Sequence, residues 1–233
     1  LFPRHPAIDN FSDLLVTMGQ SWVPFSRYIT NTVVITLVGT LGHLLIASLA
    51  AYVLAKYDFP LGKQFFALVV TALMFNGYVT AIPNYLTMTR LNLVDTHWAV
   101  ILPAFAAPIG LFLMKQFSEG IPTEMLEAAR IDGASEAKTF ISIVLPMVKP
   151  GIGALAIFTF INSWNDYFMQ LIMLSSTSNL TISLGIAKLQ AENSTDFGLI
   201  MAGAALAAVP IIIIFLIFQK YFTKGIAMGA VKG

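Results

Sequence analysis

The chain has no cysteine, only three histidines, and charged side chains at just 11% of its 233 residues. Each shortage removes a class of function. Without cysteine there is neither a disulfide framework nor a thiolate metal site. A net charge of +1 supplies no basic field to hold the phosphates of a nucleic acid, and none is expected as a partner. No stretch has the GxxxxGK[ST] spacing with which glycine amides and a lysine cradle a nucleotide. The string "GIGALA" at Gly151–Ala156 lies in an apolar run and reads as close helix packing. No paired carboxylates share an expected membrane face and no Ser, His and Asp set assembles, so catalysis and a metal site are not expected in this chain.

What is abundant is apolar surface. Hydrophobic residues make up 57% of the chain and mean hydropathy is +0.79, far outside the range of soluble domains. Runs long enough to cross a bilayer, about 20 residues each, occur at Tyr28–Lys56, Lys63–Met88, Thr96–Phe117, Pro146–Leu174 and Phe197–Phe222. The fold class expected is therefore an all-α, polytopic membrane protein with five spans in this sequence. Lys and Arg set its orientation, because short cytoplasmic loops retain positive charge during insertion. With the 119–145 loop inside, nine basic residues (Lys56, Lys63, Lys115, Arg130, Lys138, Lys149, Lys220, Lys224, Lys232) are inside and four (Arg4, Arg27, Arg90, Lys188) are outside. That assignment makes residues 1–27 an extracytoplasmic segment, 28–222 the membrane domain with 119–145 inserted, and 223–233 a cytoplasmic tail. Since the chain begins outside and at Leu1, a preceding span is expected, giving six in the full chain.

The one long polar loop carries the strongest pattern. In "IPTEMLEAARIDG", Pro122 suits a first helical turn, Glu124 and Glu127 complement the helix N-terminus, and Gly133 stands where a left-handed cap belongs. A second helix is expected from Ser135 to Leu145, with the chain bending back into the membrane at Pro146. Ala128 and Ala129 would give the first helix a low-profile patch that another protein could approach, rimmed by Glu127, Arg130 and Asp132. The same pattern also fits an amphipathic helix resting on lipid headgroups.

Glu127-Ala128-Ala129, three residues, Gly133, nine residues, Ile143, one residue, then Leu145-Pro146 resembles the EAA loop of binding-protein-dependent ABC importer permeases, with every defining position filled. "INSWNDYF" at Ile161–Phe168 and the tail Gln219–Gly233 are similar to the MalG-like, maltose-type branch of carbohydrate permeases. The resemblance implies a type I ABC importer permease fold in a bacterial plasma (inner) membrane, importing a sugar or oligosaccharide by alternating access. It implies that the loop is a coupling helix seated in an ATPase subunit. The partners it implies are a sister permease, two ATP-binding cassette subunits, an extracytoplasmic solute-binding protein, membrane lipid and the sugar itself. ATP and Mg would then reside on the partner subunits and no cofactor on this chain.

Polar groups inside apolar runs are costly unless they face protein or water. Asn162, Ser163, Trp164, Asn165, Asp166 and Tyr167 form the densest such cluster, near the outer end of their span. They are candidates for the translocation pathway, together with Asn76, Tyr78, Asn84 and Pro83 beside a kinked helix; an interfacial belt with interhelical hydrogen bonds is the plainer alternative. His43, alone in mid-span, suits a bond to a neighbouring helix. In an ion-coupled secondary transporter, the alternative from another class, His43 and Asp166 would be the coupling groups. An ABC permease for another solute is the alternative within the family.

Overall fold

In the computed structural model the residues described are 9–17, 23–75, 77–192 and 197–230, and helices joined by short turns make up their secondary structure, with no strand among them. The helices are α1 (Asp9–Thr17), α2 (Phe25–Lys56), α3 (Gly62–Ala72), α4 (Gly77–Arg90), α5 (Trp98–Phe105), α6 (Pro108–Glu119) and α7 (Thr123–Ile131). Then α8 (Glu136–Thr139) runs through a π-helical turn, Phe140–Val144, into α9 (Leu145–Met147). The chain ends with α10 (Lys149–Asn165), α11 (Phe168–Met173), α12 (Ile182–Glu192) and α13 (Phe197–Ala230).

Among the described residues three segments are long and apolar enough to cross a membrane, Phe25–Lys56, Trp98–Glu119 and Phe197–Ile217, and the number rises to five if two bent pairs each count as one span. The chain is a multi-pass membrane protein. At about 1.5 Å per residue α2 is about 48 Å long, more than the roughly 30 Å of hydrocarbon, so it extends into both interfaces.

Three of the five expected spans are not straight. Lys63–Met88 is two helices, α3 and α4, at 110° to each other. The final bonds of α3 tighten, Met74 N–H to Thr71 and Phe75 N–H to Ala72, and α4 opens on Gly77, a poor helix former. Thr96–Phe117 is interrupted between α5 and α6, where Ala107 is extended because Pro108 follows it. Pro146–Leu174 differs most. The bend is 76° and falls at Val148 rather than Pro146, because Pro150 has no N–H to continue the ladder while Pro146 sits in the first turn of α9. The helix then stops at Asn165, so Asp166–Leu174 forms a turn and the short α11 instead of more span.

Helix α2 is the central strut, packed by α5, α6, α10 and α12. Where α2 meets α6 the approach is close: a Cβ on Gly110 would lie 2.0 Å from the His43 ring. At the end carrying residues 119–145, called the charged end below, a cluster built on Ala51, Tyr52, Met114, Leu126, Phe140 and Val144 closes the core. Toward the far end Phe25, Tyr28, Phe160, Trp164 and Leu189 form another, and Ile35, Ile101 and Met173 a third.

Candidate functional site

A cavity of about 810 Å³ opens between α4, the α5–α6 break, and the end of α10 with its turn into α11. Tyr78, Asn162, Asn165, Asp166 and Tyr167 all line it, as do Asn84 and Ser163, so most of the residues singled out from sequence converge on one space. Asn76 lies outside the described residues, and Pro83, inside α4, is not among the lining residues.

The chemistry of this wall follows from how its amides are satisfied. Asn162 and Asn165 are exposed, and each donates its NH2 to the carbonyl four residues earlier, Phe158 at 2.7 Å and Ile161 at 3.0 Å. Both side-chain oxygens remain available as acceptors. Tyr78 lies edge-on to Phe168 with ring centroids 4.6 Å apart, and Tyr167 is 44% exposed. Asp166 accepts from the Met169 amide at 3.2 Å and so caps the first turn of α11.

Trp164, expected in the pathway, instead packs into the bundle. It is 1% exposed, stacks on Phe160, and donates its indole N–H to the Ala207 carbonyl of α13 at 3.0 Å. On α10 it points away from the faces of Asn162 and Asn165, so it braces the bundle and does not line the cavity.

His43 forms the floor. Its Nε2 lies 3.1 Å from the Ala107 carbonyl and its Nδ1 3.1 Å from the Thr159 hydroxyl. A carbonyl only accepts, so Nε2 carries the proton and Nδ1 accepts from Thr159. The ring thereby joins α2, the α5–α6 break and α10, with both nitrogens used on neutral partners.

Two polar residues that the sequence reading missed shape the far end. Gln170 is fully buried, donates to the Ser163 carbonyl at 3.1 Å and accepts from the Thr181 hydroxyl, fixing α11 under α10. An isolated amide in "FMQLIM" is the signal that could have found it. Asp95 gathers the amides of Ser175 and Ser176, both at 2.9 Å, the Ser176 hydroxyl, and Asn179. Desolvation pushes the Asp95 carboxyl up, but these hydrogen bonds outweigh it and hold it at about 2.

At the charged end α7 forms as its sequence dictates. Gly133 has φ +76°, its N–H bonds to Arg130 at 3.0 Å, and the Ala134 N–H reaches Ala129 at 2.9 Å, a Schellman closure of the helix. Ser135 caps the next helix by accepting from the Lys138 amide. Ala128, Glu127 and Asp132 are exposed, but Ala129 and Leu126 turn inward onto the chain's own core. The surface patch is therefore Met125, Ala128 and Ile131, the last 86% exposed, rather than Ala128 with Ala129. Ile143 and Leu145 pack under the loop, and Pro146 is exposed. Arg130 is not a free rim charge: its Nε pairs with Glu136 at 2.9 Å and its terminal nitrogen donates to the Tyr57 hydroxyl at 3.1 Å.

Residues 43–228 match the family described as binding-protein-dependent transport system inner membrane component. The chain belongs to this family. The permease is 38% identical over 231 residues to the arabinooligosaccharides transport system permease protein AraQ of Halalkalibacterium halodurans, covering 99% of this chain and 81% of that protein. It is 34% identical to the melibiose/raffinose/stachyose import permease protein MelC of Bacillus subtilis, covering 100% of this chain and 84% of that one. Its identity to the sn-glycerol-3-phosphate transport system permease protein UgpE of Pectobacterium atrosepticum is 33%, over 97% of this chain and 82% of UgpE. A chain in the crystal structure of a bacterial ABC transporter involved in alginate import superimposes with a TM-score of 0.84 at 22% identity, covering 95% of this chain and 82% of its own. That likeness establishes the type I ABC importer permease fold. The tail Gln219–Gly233 continues α13 as far as Ala230, and residues 231–233 lie outside the described residues.

Proposed function

We propose that this permease carries a sugar or oligosaccharide across the bacterial inner membrane by alternating access, driven by ATP hydrolysis on separate subunits. The observation that carries the reading is the cavity wall, where two free amide oxygens face a space flanked by the Tyr78, Tyr167 and Phe168 rings. Hydroxyl donors of a sugar suit the oxygens, and its C–H faces suit aromatic rings. The names of AraQ and MelC support the same substrate class. A phosphorylated solute, as the name of UgpE suggests, is disfavoured because no Lys or Arg is among the described lining residues to meet a phosphate.

In this reading Met125, Ala128 and Ile131 seat α7 in an ATP-binding cassette subunit, with Glu127, Asp132 and the Gly133 stop shaping the contact. ATP and Mg act there, and a sister permease forms the other half of the pathway. A solute-binding protein delivers sugar at the far end. An ion-coupled transporter would use His43 and Asp166 as its titrating pair; His43 is held between a hydroxyl and a carbonyl, and Asp166 caps the first turn of α11. The test is reconstitution of the permease with its sister, ATPases and binding protein in vesicles. Uptake of a neutral oligosaccharide that requires internal ATP is the expected result; uptake driven by a proton gradient without ATP, or uptake of sn-glycerol-3-phosphate alone, overturns the proposal.

A further inference from the structure

Helix α2 makes polar contacts at three heights. At the far end Asn31 donates to the carbonyls of Ser178 and Leu180, both at 2.8 Å, and Thr32 accepts from the Ile182 amide at 2.8 Å. In the middle His43 holds the cavity floor. At the charged end the contacts go to the α7–α8 loop, and there they form a closed cluster. Glu136 receives hydrogen bonds from Arg130, from Tyr52 at 3.2 Å and from Tyr57. The Arg130 guanidinium also lies over the Tyr57 ring, 5.4 Å from its centroid, and donates to the Tyr57 hydroxyl. Tyr52 and Tyr57 meet edge-on at 5.6 Å. One residue further in from Tyr57, Lys56 donates to the carbonyls of Glu119 at 3.3 Å and Ile121 at 2.5 Å.

The cluster is chosen for rigidity. A guanidinium fork is planar and bonds two acceptors at fixed angles, whereas an ammonium would be a point charge on a flexible stem. Hydrogen bonds from both tyrosines and from Arg130 hold the Glu136 carboxyl below its usual range. The carboxylate stays charged through the neutral range and keeps its three donors.

We propose that Tyr57 and Glu136 are positioning residues that clamp α7, through Arg130, to the inner end of α2, so that movement of the loop is delivered to α2 and thence to the cavity floor at His43. This rests on the reading of α7 as the coupling helix. If the clamp transmits movement, breaking it lets α7 follow the ATPase while α2 lags. ATP is then hydrolysed without transport.

The experiment uses the complete reconstituted complex and measures sugar taken up per ATP hydrolysed, alongside the ATPase content of the purified complex. Tyr57→Phe and Glu136→Gln should each leave ATPase subunits bound but lower the uptake-to-ATP ratio about fivefold or more, the lower range of coupling between sites. Arg130→Lys should lower the ratio as well, since an ammonium on a flexible stem does not reproduce the fixed fork that holds Glu136 and Tyr57 together. In a chain without native cysteine, Tyr57→Cys with Glu136→Cys bridged by a short bis-thiol reagent should recover the ratio. An unchanged ratio in Tyr57→Phe and Glu136→Gln, with ATPase bound, overturns the clamp. Should Glu136→Gln fail to assemble, Tyr57→Phe decides alone, because it removes a single exposed-side hydroxyl. Failure of the coupling-helix reading itself would show separately, as a Glu124→Cys chain, altered at an exposed position of the same helix outside the patch, that transports normally but cannot be cross-linked to the ATPase.

Discussion

At its charged end α2 is held by an ionic cluster, exposed Arg130 and Glu136 with Tyr57 and the buried Tyr52, whereas at its far end the buried, neutral Asn31 and Thr32 bond to backbone groups of the 178–182 segment. There the exposed Arg27 adds one longer contact, to the Ser178 carbonyl at 3.4 Å. The burial differs as well. Asn31 and Thr32 are buried, while the Arg130 and Glu136 side chains are 40% and 53% exposed. Buried bonds to a carbonyl cannot be released without leaving an unsatisfied group, so they brace the structure permanently. Exposed ionic bonds depend on geometry and charge, can be remade in water, and add little to stability. The far end is thus built as a fixed frame and the charged end as a joint.

The contrast can be broken most severely at the frame. Trp164→Ala removes a buried ring that stacks on Phe160 and bonds to Ala207, and should cost about 3–5 kcal/mol, seen as lost thermal stability of the purified protein with substrate preference unchanged. Preserved stability together with altered preference would return Trp164 to the pathway. Next is the joint: Gly133→Val forces a β-branched residue to φ +76° and should cost about 1–2 kcal/mol. Nothing lies within 4 Å of a Cβ there, so the strain is in the backbone, and ATPase binding should fall while labelling of cavity residues stays normal.

A smaller effect sharpens the frame. Asp95 is held at about 2, so its stabilising contribution is fully present above the ordinary carboxylate range and is lost as pH falls from about 4 towards 2. Asp95→Asn should therefore be less stable than the parent by about 1 kcal/mol at neutral pH, after allowing for solvent screening. The difference between the two, followed by thermal melting across pH, should vanish near pH 2; a constant difference would remove the carboxylate from the account. Asn165→Ala should be smallest in stability, within about 0.5 kcal/mol, yet change the uptake rate or the sugar preferred, because its free oxygen faces the cavity.

The loop was legible in sequence because its information is local: Gly133 stops a helix, and a motif with fixed spacing survives any packing. Asn162, Asn165 and Tyr78 were legible as polar groups out of place. Rotation was not. Whether Ala129 faces a partner or its own core, and whether Trp164 faces the cavity or α13, depends on which side of a nearly uniformly apolar helix meets its neighbours. Breaks at Val148 and Ala107 were obscured for a related reason, since hydropathy runs unbroken through a bend while prolines at 108 and 150 quietly remove donors. Asp95 was unreadable because its partners lie 80 residues away, in a loop with no pattern of its own.

The most direct test of the account is the accessibility of the cavity in the two states of the transport cycle. In the complete complex, carrying Asn165→Cys in this cysteine-free chain, an impermeant thiol reagent is applied from the binding-protein side with and without a trapped ATP analogue on the ATPases. Labelling should be fast with the nucleotide trapped and slow without it, and a reagent enclosed on the ATPase side should show the reverse. Equal labelling in both states from either side would contradict alternating access through this cavity.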